Sequence, residues 1–418
     1  MAQAVLVLGN YQQTITVVRS LARAGYKVLL GRNGRRSYTE LSRNASGTWL
    51  HPDPRDKRDF LRALGALLSE RSEIRYVFPV GDVDLDVTAA AHEELSRRCR
   101  LVMVEPNVLR TCLEKPKMYE IAARIGVPVP ESDLIAGDFD AVKTTVGEIG
   151  FPVILKRPNS FTFMKNQKAV ICRDWHAIEM WRPALESGSV VVQRWVGGPR
   201  HNCQIAALRG EVVAYFENKN LRTDRADGTG IGVEWISVDP TPELRRHCEA
   251  LARATGYSGV GLVQFLVENR RPFFLELNPR LGMPWELAYR CGLDFAMLAV
   301  QCADGLQDAG STVPRPPQHY AAGKRCYWVL GDLAALTDQR TGKIASRITR
   351  MIVSFCRADY QLTWSWRDPL PTLFLYASLA RSNLSKLLRK VARYGKTASA
   401  PVGSGVAQGS TEAAKRQS

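Results

Sequence analysis

The residues of this chain best placed to do chemistry stand in one short stretch: Gln264, Glu276, Asn278 and Arg280. They lie in two apolar runs rich in β-formers, 260–267 and 273–280, that flank the charged turn 268–272, which is the pattern of a β-hairpin. Side chains alternate along a strand, so Phe274, Glu276 and Asn278 are expected on one face. Gln264 on the opposing run is expected to meet them across the ladder, where paired positions lie about 5 Å apart. One carboxylate with two amide oxygens suits a hard, oxygen-seeking cation such as Mg²⁺, whose remaining partners are commonly phosphates. Arg280 follows at once, a permanent cation whose planar fork matches phosphate or carboxylate. Phe, Leu and Pro surround these groups, which argues against a strand whose polar residues merely face water. The stretch predicts a metal–phosphate site.

Further candidates lie upstream. The apolar run 150–156 finishes on Lys156, and a lysine that ends a buried strand before a polar loop is placed like a phosphate-binding cation. The following loop, 157–168, carries Lys165 and Lys168 and contains no glycine, so it is less pliable than a usual phosphate-cradling loop. Lys115 opens a helix that Gly126 and Pro128 bring to an end. Asp82, Asp84 and Asp86 follow an expected strand at 76–80, where open α/β sheets place ligands, but capping of the next helix is the favoured role. The segment 220–232 is rich in glycine and charge and is expected to be a substrate loop, with Arg222 and Arg225 as anion contacts.

The elements that must position these residues alternate in kind. Strand 4–8, a helix through Ile15 and Leu21, strand 26–30, helix 60–68, strand 76–80, helix 85–95 and strand 101–104 predict a doubly wound domain with a parallel sheet. Gly9 stands alone after the first strand, so the dinucleotide fingerprint is absent and NAD binding is not expected. Strand 190–196 ends at Gly197-Gly198-Pro199, a hairpin spans 203–208 and 212–216, and helices cover 242–255, 285–291 and 295–303. Beyond a proline-rich linker at 314–317, a strand at 327–330, a short helix at 333–337 and a basic amphipathic helix at 371–394 are expected. The tail from 397 is poor in large apolar residues and is expected to be disordered.

At 418 residues, with 45% apolar and 23% charged, the chain has room for two or three ordinary soluble domains. Its net charge of +16 is concentrated: residues 315–418 hold 17 Lys and Arg against 5 Asp and Glu, so +12 belongs to the last quarter. A nucleic-acid reading of the whole chain therefore loses its main support. Nine scattered cysteines show neither zinc spacing nor a disulfide framework, which favours reduced thiols and a cytoplasmic setting. No signal peptide is read at the N-terminus, and no apolar run reaches the roughly 20 residues of a spanning helix.

Taken in order, Lys115, Lys156, the strand at Gln193 and the series Gln264 … Glu276-Leu277-Asn278-Pro279-Arg280 resemble the ATP-grasp superfamily, within its carbamoyl-phosphate synthetase, biotin carboxylase and carboxylate–amine ligase branch. The spacing from Lys115 to Gly126-Val127-Pro128 matches too, and the resemblance covers residues 1–305. Charge and composition set off a basic C-terminal extension (311–395) and a disordered tail (396–418), while the resemblance implies an α/β chain with a Rossmann-like, doubly wound pre-ATP-grasp domain (1–113) followed by a two-subdomain α+β ATP-grasp fold (114–310, divided near 190). It also implies roles. Lys115 and Lys156 would hold ATP, with Gln193, Arg194, Trp195 and Val196 as the hinge strand that reads adenine. Gln264, Glu276 and Asn278 would hold Mg²⁺ or Mn²⁺, Glu276 serving the nucleotide as well. Arg280 and Lys156 would act on the transferred phosphoryl group, and Arg222, Gly282 and Trp285 would contact substrate.

Three departures from the family pattern stand out. The glycine-rich phosphate loop is replaced by Asn159-Ser160-Phe161-Thr162-Phe163-Met164, the hinge lacks an acidic residue for the ribose (Glu217 is the nearest stand-in), and bulky Met283-Pro284-Trp285 follows Arg280. The expected function is an ATP- and Mg-dependent ligase that activates a carboxylate as an acylphosphate for attack by an amine. The alternatives are an ATP-dependent carboxylase and a non-catalytic ATP-binding scaffold. Expected partners are small-molecule carboxylates and amines, a second copy in a homodimer, and a membrane surface or protein at 371–394; nucleic acid is not expected.

Overall fold

In the computed structural model the described residues are 3–381, less 35, 160, 161, 163, 166, 226, 309–315, 317, 318 and 336–343. The chain divides into two compact units, Met1–Phe374 and Leu375–Ser418; in the second, the described residues 375–381 are helical.

The first sheet is parallel and built from β1 (Ala4–Leu8), β2 (Lys27–Arg32), β3 (Gly47–Leu50), β4 (Ile74–Pro79) and β5 (Arg100–Leu101), in the order β3-β2-β1-β4-β5. Every residue of β1 is buried, Leu6 and Leu8 in one core and Val5 and Val7 in another, because a central parallel strand is covered on both faces. The order reverses between β1 and β4. The loops after those two strands, at Gly9–Tyr11 and Gly81–Asp82, therefore share the crevice where such sheets bind ligands.

A four-stranded antiparallel sheet follows, with β6 (Ser132–Ile135), β7 (Val153–Lys156), β8 (Ala169–Cys172) and β9 (Val190–Arg194) in the order β6-β9-β7-β8. Helices Phe139–Ile149 and Trp175–Glu186 close its core through Val142, Val146, Ile178 and Leu185.

The largest sheet has the order β14-β13-β10-β11-β12-β15-β16, from β10 (Arg200–Leu208), β11 (Glu211–Thr223), β12 (Gly232–Ser237), β13 (Gly259–Glu268), β14 (Arg271–Asn278), β15 (Arg325–Tyr327) and β16 (Tyr360–Gln361). The predicted hairpin is β13–β14, closed by Asn269 and Arg270, both at positive φ (50° and 68°), as a two-residue turn with matching twist requires. The two faces of this sheet are covered differently. Cys203 and Ile205 pack in one core with Leu244, Cys248 and Leu251 of helix Pro242–Thr255. Ala206, Leu208 and Phe216 pack in another with Leu298 and Cys302 of helix Phe295–Gln307. The even-numbered positions nearer the start of β10 carry polar residues, which leaves that half of the second face as a cleft floor.

Several sequence expectations are corrected. Residues 220–223 are strand, because polar Asn218, Lys219 and Asn220 pair with Ser237, Ile236 and buried Trp235, and tertiary pairing overrides a composition that reads as loop. The strand placed at 327–330 is β15, two residues earlier, and Val329–Ala335 is helical. Helix Ile344–Arg357 was not anticipated. Strand 101–104 shortens to Arg100–Leu101, and 85–95 is two helices, Asp82–Ala90 and His92–Ser96. Of the basic helix placed at 371–394, residues 371–381 are helical; 382–394 and the tail lie outside the described residues, as does the 314–317 linker except Pro316.

Candidate functional site

The register of the large sheet draws four polar residues into one row: Glu276 opposite Gln264, Gln264 opposite Asn202, and Asn202 opposite Asn218. Gln264 Nε2 donates to Asn202 Oδ1 at 2.7 Å, and Asn202 Nδ2 donates to Asn218 Oδ1 at 2.9 Å and Asn220 Oδ1 at 2.7 Å. At the other end Asn278 Nδ2 donates to Glu276 Oε1 at 2.8 Å. One expected neighbour is missing. Phe274 pairs with Phe265, one residue from Gln264, so a bulge at Leu275 turns Phe274 into the hydrophobic core while Glu276 and Asn278 keep the cleft face.

Two lysines face this row. Lys156, at the end of β7, is only 4% exposed; its Nζ donates to Gln193 Oε1 at 2.8 Å and to the Tyr119 hydroxyl, and lies 4.9 Å from the Tyr119 ring centroid. Burial pushes its ammonium down to about 8, with Glu276 opposing. Lys115 opens helix Lys115–Arg124 and is likewise pushed down to about 8 by burial and by Lys156 and Lys168, again with Glu276 opposing. Burial alone would raise the Glu276 carboxyl, yet Lys115, the Asn278 amide, Lys168 and Arg200 hold it below the usual carboxylate range. The cleft thus gathers more positive than negative charge, the arrangement expected before a polyanion arrives.

Arg280 is anchored by Asp82, just beyond β4 of the parallel sheet. Its guanidinium forks onto Asp82, with Nη2 to Oδ2 at 3.1 Å. Asp82 is therefore an ion-pair partner and not the expected helix cap; the capping position is Gly81, which has no side chain to offer. Asp84 is buried, and desolvation together with Asp82 pushes its carboxyl up to about 7. Asp86 makes a surface ion pair with Lys57 at 2.7 Å. The Tyr11 ring covers this crevice so closely that a Cβ on Gly81 would stand 1.9 Å from it. Burial and the two aspartates push the Tyr11 phenol up to about 12.

The stretch 193–196, expected to read adenine, commits part of its backbone to the fold: Arg194 N–H donates to Glu131 O at 2.8 Å and Trp195 N–H to Pro152 O at 3.1 Å. Arg194 also reaches Glu268 at 3.1 Å, and Gly197 N–H caps the same carboxylate at 2.8 Å, tying this stretch to the β13–β14 hairpin. Val196 is buried. Gln193 is 3% exposed, and its Nε2 is buried with no hydrogen-bond partner among the described residues. An orphaned amide beside Lys156 calls for an acceptor from a ligand.

Other expected residues stand elsewhere. Trp285 is fully buried, with Nε1 donating to Gln13 O at 3.3 Å, so it belongs to the core and not to a substrate pocket. Gly282 packs so tightly on Leu262 that a Cβ would sit 2.3 Å away. Arg222 is bound to Asp332, Glu234 and Ser354. Glu217 cannot serve a ribose: it is fully buried on the opposite face and accepts from Tyr215, the Thr241 amide and the Thr241 hydroxyl at 2.8 Å each, with His201 at 2.7 Å. Lys165 stacks on Trp181, whereas Lys168 acts on Glu276 and Asp82. Within the phosphate-loop stretch, Ser160, Phe161 and Phe163 lie outside the described residues.

The donor set fits magnesium. Gln264 spends its amide nitrogen on Asn202, so its carbonyl oxygen stays available beside the Glu276 carboxylate, and oxygen donors are what a hard cation takes. No group of three His, Cys, Asp or Glu that could hold a metal exists among the described residues, so a cation here would rest on the Glu276 carboxylate, the Gln264 and Asn278 amides and its ligand's phosphates. Sequence reasoning missed Tyr119, Asn202, Arg200 and the Asp82–Arg280 pair. Tyr119 had a signal, standing four residues after Lys115 on one helix face; the others depend on long-range register.

Residues 114–308 match the family model for the ATP-binding domain of the carbamoyl-phosphate synthase L chain. Among curated proteins, pyruvate carboxylase of Bacillus subtilis is 29% identical over 228 residues, 50% of this chain and 20% of that protein. Biotin carboxylase 2 of Populus trichocarpa is 30% identical over 189 residues, 42% of this chain and 36% of that protein. The chain thus spans well under two thirds of these relatives. The crystal structure of biotin carboxylase from Campylobacter jejuni superposes with a TM-score of 0.62 at 17% identity, over 78% of this chain and 74% of that one, which shows a shared fold. Residues 114–308, just under half of the chain, thus match an ATP-grasp ATP-binding domain, and the chain shares the α/β fold of these neighbours.

Proposed function

We propose that the protein is an ATP- and Mg-dependent ligase that activates a carboxylate as an acylphosphate for attack by an amine. The observation that carries this reading is the pair of lysines, Lys156 buried and Lys115 half-buried, both pushed down to about 8, facing Glu276 in a cleft with an orphaned Gln193 amide. A site so desolvated and cationic stabilises a polyphosphate and the charge that develops on it. Lys115 and Lys156 hold the nucleotide phosphates, and Gln193 to Val196 line the adenine side. Gln264, Glu276 and Asn278 hold magnesium, which when bound neutralises phosphate charge. Arg280, fixed by Asp82, faces the acyl oxygen and the transferred phosphoryl group. The amine and acid meet between this cleft and the pre-ATP-grasp domain at 1–113, with the ATP-grasp domain ending near 310 and the basic region beginning there.

A second reading, an ATP-dependent carboxylase, is favoured by the names of the matched relatives, which are carboxylases. Homodimer formation is proposed by likeness to a biotin carboxylase domain solved as a dimer. Among the described residues no helix is long and apolar enough to cross a membrane. The test is a screen of amino acids and small carboxylic acids for ATP-dependent ADP release and product mass. An amide product supports the ligase, a carboxylated product obtained only with bicarbonate supports the second reading, and nucleotide binding without turnover on any pair refutes both.

A further inference from the structure

A cavity of about 270 Å³ is bounded by the turn at Gly198–Arg200, the end of β11 at Asn220–Arg225 and the helix Ile344–Arg357. Five arginines line it, Arg200, Arg222, Arg225, Arg347 and Arg350, against two carboxylates, Asp224 and Asp332. The carboxylates are largely engaged. Asp332 accepts the Arg222 fork, with Nη1 at 2.9 Å, and the Tyr327 hydroxyl at 2.7 Å, while Asp224 Oδ1 accepts the Ile231 amide at 2.7 Å.

Two arginines stay underused. Arg347 is 7% exposed, and its Nη1 is buried with no hydrogen-bond partner among the described residues. Arg200 spends Nη1 and Nη2 on the Gly230 and Gly228 carbonyls at 3.3 and 3.0 Å, while its Nε is likewise buried and unpartnered. Burial also pulls its guanidinium pKa down. Buried cationic donors left without acceptors are costly unless a ligand completes them. The cavity also borders the row already described, because Arg200 lies on β10 two residues from Asn202 and within electrostatic reach of Glu276.

We propose that this cavity binds a dianionic small-molecule group, a phosphate monoester or a dicarboxylate, with Arg200 and Arg347 as buried donors and Arg350 at its exposed edge. Guanidinium forks are suited to such planar or tetrahedral oxyanions. As the tail of the acid or amine substrate, this anion would deepen the ligase reading and in that role rests on it; anion binding itself does not.

The test uses the full chain and calorimetric titration with O-phosphoserine and with succinate, each in the absence and presence of saturating MgADP. The expected result is saturable binding of one probe, unaffected by ADP and weakened by salt. The affinity falls about tenfold or more in Arg347→Gln, recovers in part in Arg347→Lys, and falls severalfold in Arg350→Gln, an exposed position where folding is not at stake. Tighter phosphoserine identifies a phosphoryl tail, tighter succinate a dicarboxylate. The proposal is overturned if neither probe binds saturably in the millimolar range, if ADP displaces the probe, or if all three variants bind it like the wild type. Failure of the wild type to bind MgADP, with probe binding intact, would instead sink the ligase reading alone.

Discussion

Lys115 and Lys156 are predicted to take up protons when a nucleotide arrives. In the free protein both ammonium groups are pushed down to about 8, Lys156 by burial and Lys115 by burial and its cationic neighbours. Polyphosphate contact returns them toward the ordinary lysine value of about 10.4. A lysine with a depressed pKa gives up its proton early, so between the two values the free protein holds fewer protons than the complex. At a pH near 8 each lysine is about half protonated, and binding should take up about one proton in total. Near pH 7 the uptake should shrink to about 0.2. Affinity should accordingly be flat below about pH 8 and fall above it, by up to about tenfold per lysine per pH unit. For Lys156, restoring the ordinary value is worth about 3 kcal/mol. The assay is calorimetric titration of MgADP in buffers of different ionisation enthalpy, where the slope of observed heat against buffer enthalpy counts the protons. Lys156→Met should remove about half of the uptake. Saturable binding with no proton uptake near pH 8 would refute the electrostatic account of the cleft.

Other perturbations follow from the same geometry. Glu276→Gln removes the only carboxylate of the Gln264, Glu276 and Asn278 set and should lower ADP release at least about 100-fold with an unchanged circular dichroism spectrum. Asp82→Asn strips Arg280 of its paired charge and should destabilise the protein by about 1–3 kcal/mol in urea denaturation, while also lowering turnover. Glu217→Gln should cost about 2 kcal/mol and leave MgADP affinity unchanged, since Glu217 faces away from the cleft; because its carboxyl sits below its usual range, this contribution is present at neutral pH and lost as pH falls through that lowered value. Gly198→Ala at φ 99°, with the Val267 carbonyl 2.1 Å from the new Cβ, should lower the melting temperature by the equivalent of about 2 kcal/mol or more.

Much of the fold was legible because its periodicities are local. The strands at Ala4–Leu8 and Val153–Lys156 and the hairpin with its Asn269–Arg270 turn were all set by patterns within about ten residues. The lysine and hairpin residues of the site were legible for the same reason, each standing at the end of a recognisable element. What escaped were consequences of tertiary pairing. The bulge at Leu275 that diverts Phe274 needs the β13–β14 register, and the strand at 220–223 needs Trp235 beside it. The Asp82–Arg280 pair joins residues 198 positions apart. Trp285 and Glu217 misled for a related reason: residue type alone does not say which face of an element it occupies, and burial decided both.

The central claim is that the cleft passes a phosphoryl group to a carboxylate. Its most direct test is to supply the turnover-competent acid with both carboxylate oxygens labelled with ¹⁸O and follow the label by mass spectrometry. The account predicts ADP as the nucleotide product and one ¹⁸O per inorganic phosphate released. Unlabelled phosphate, or AMP with pyrophosphate in place of ADP, would contradict it.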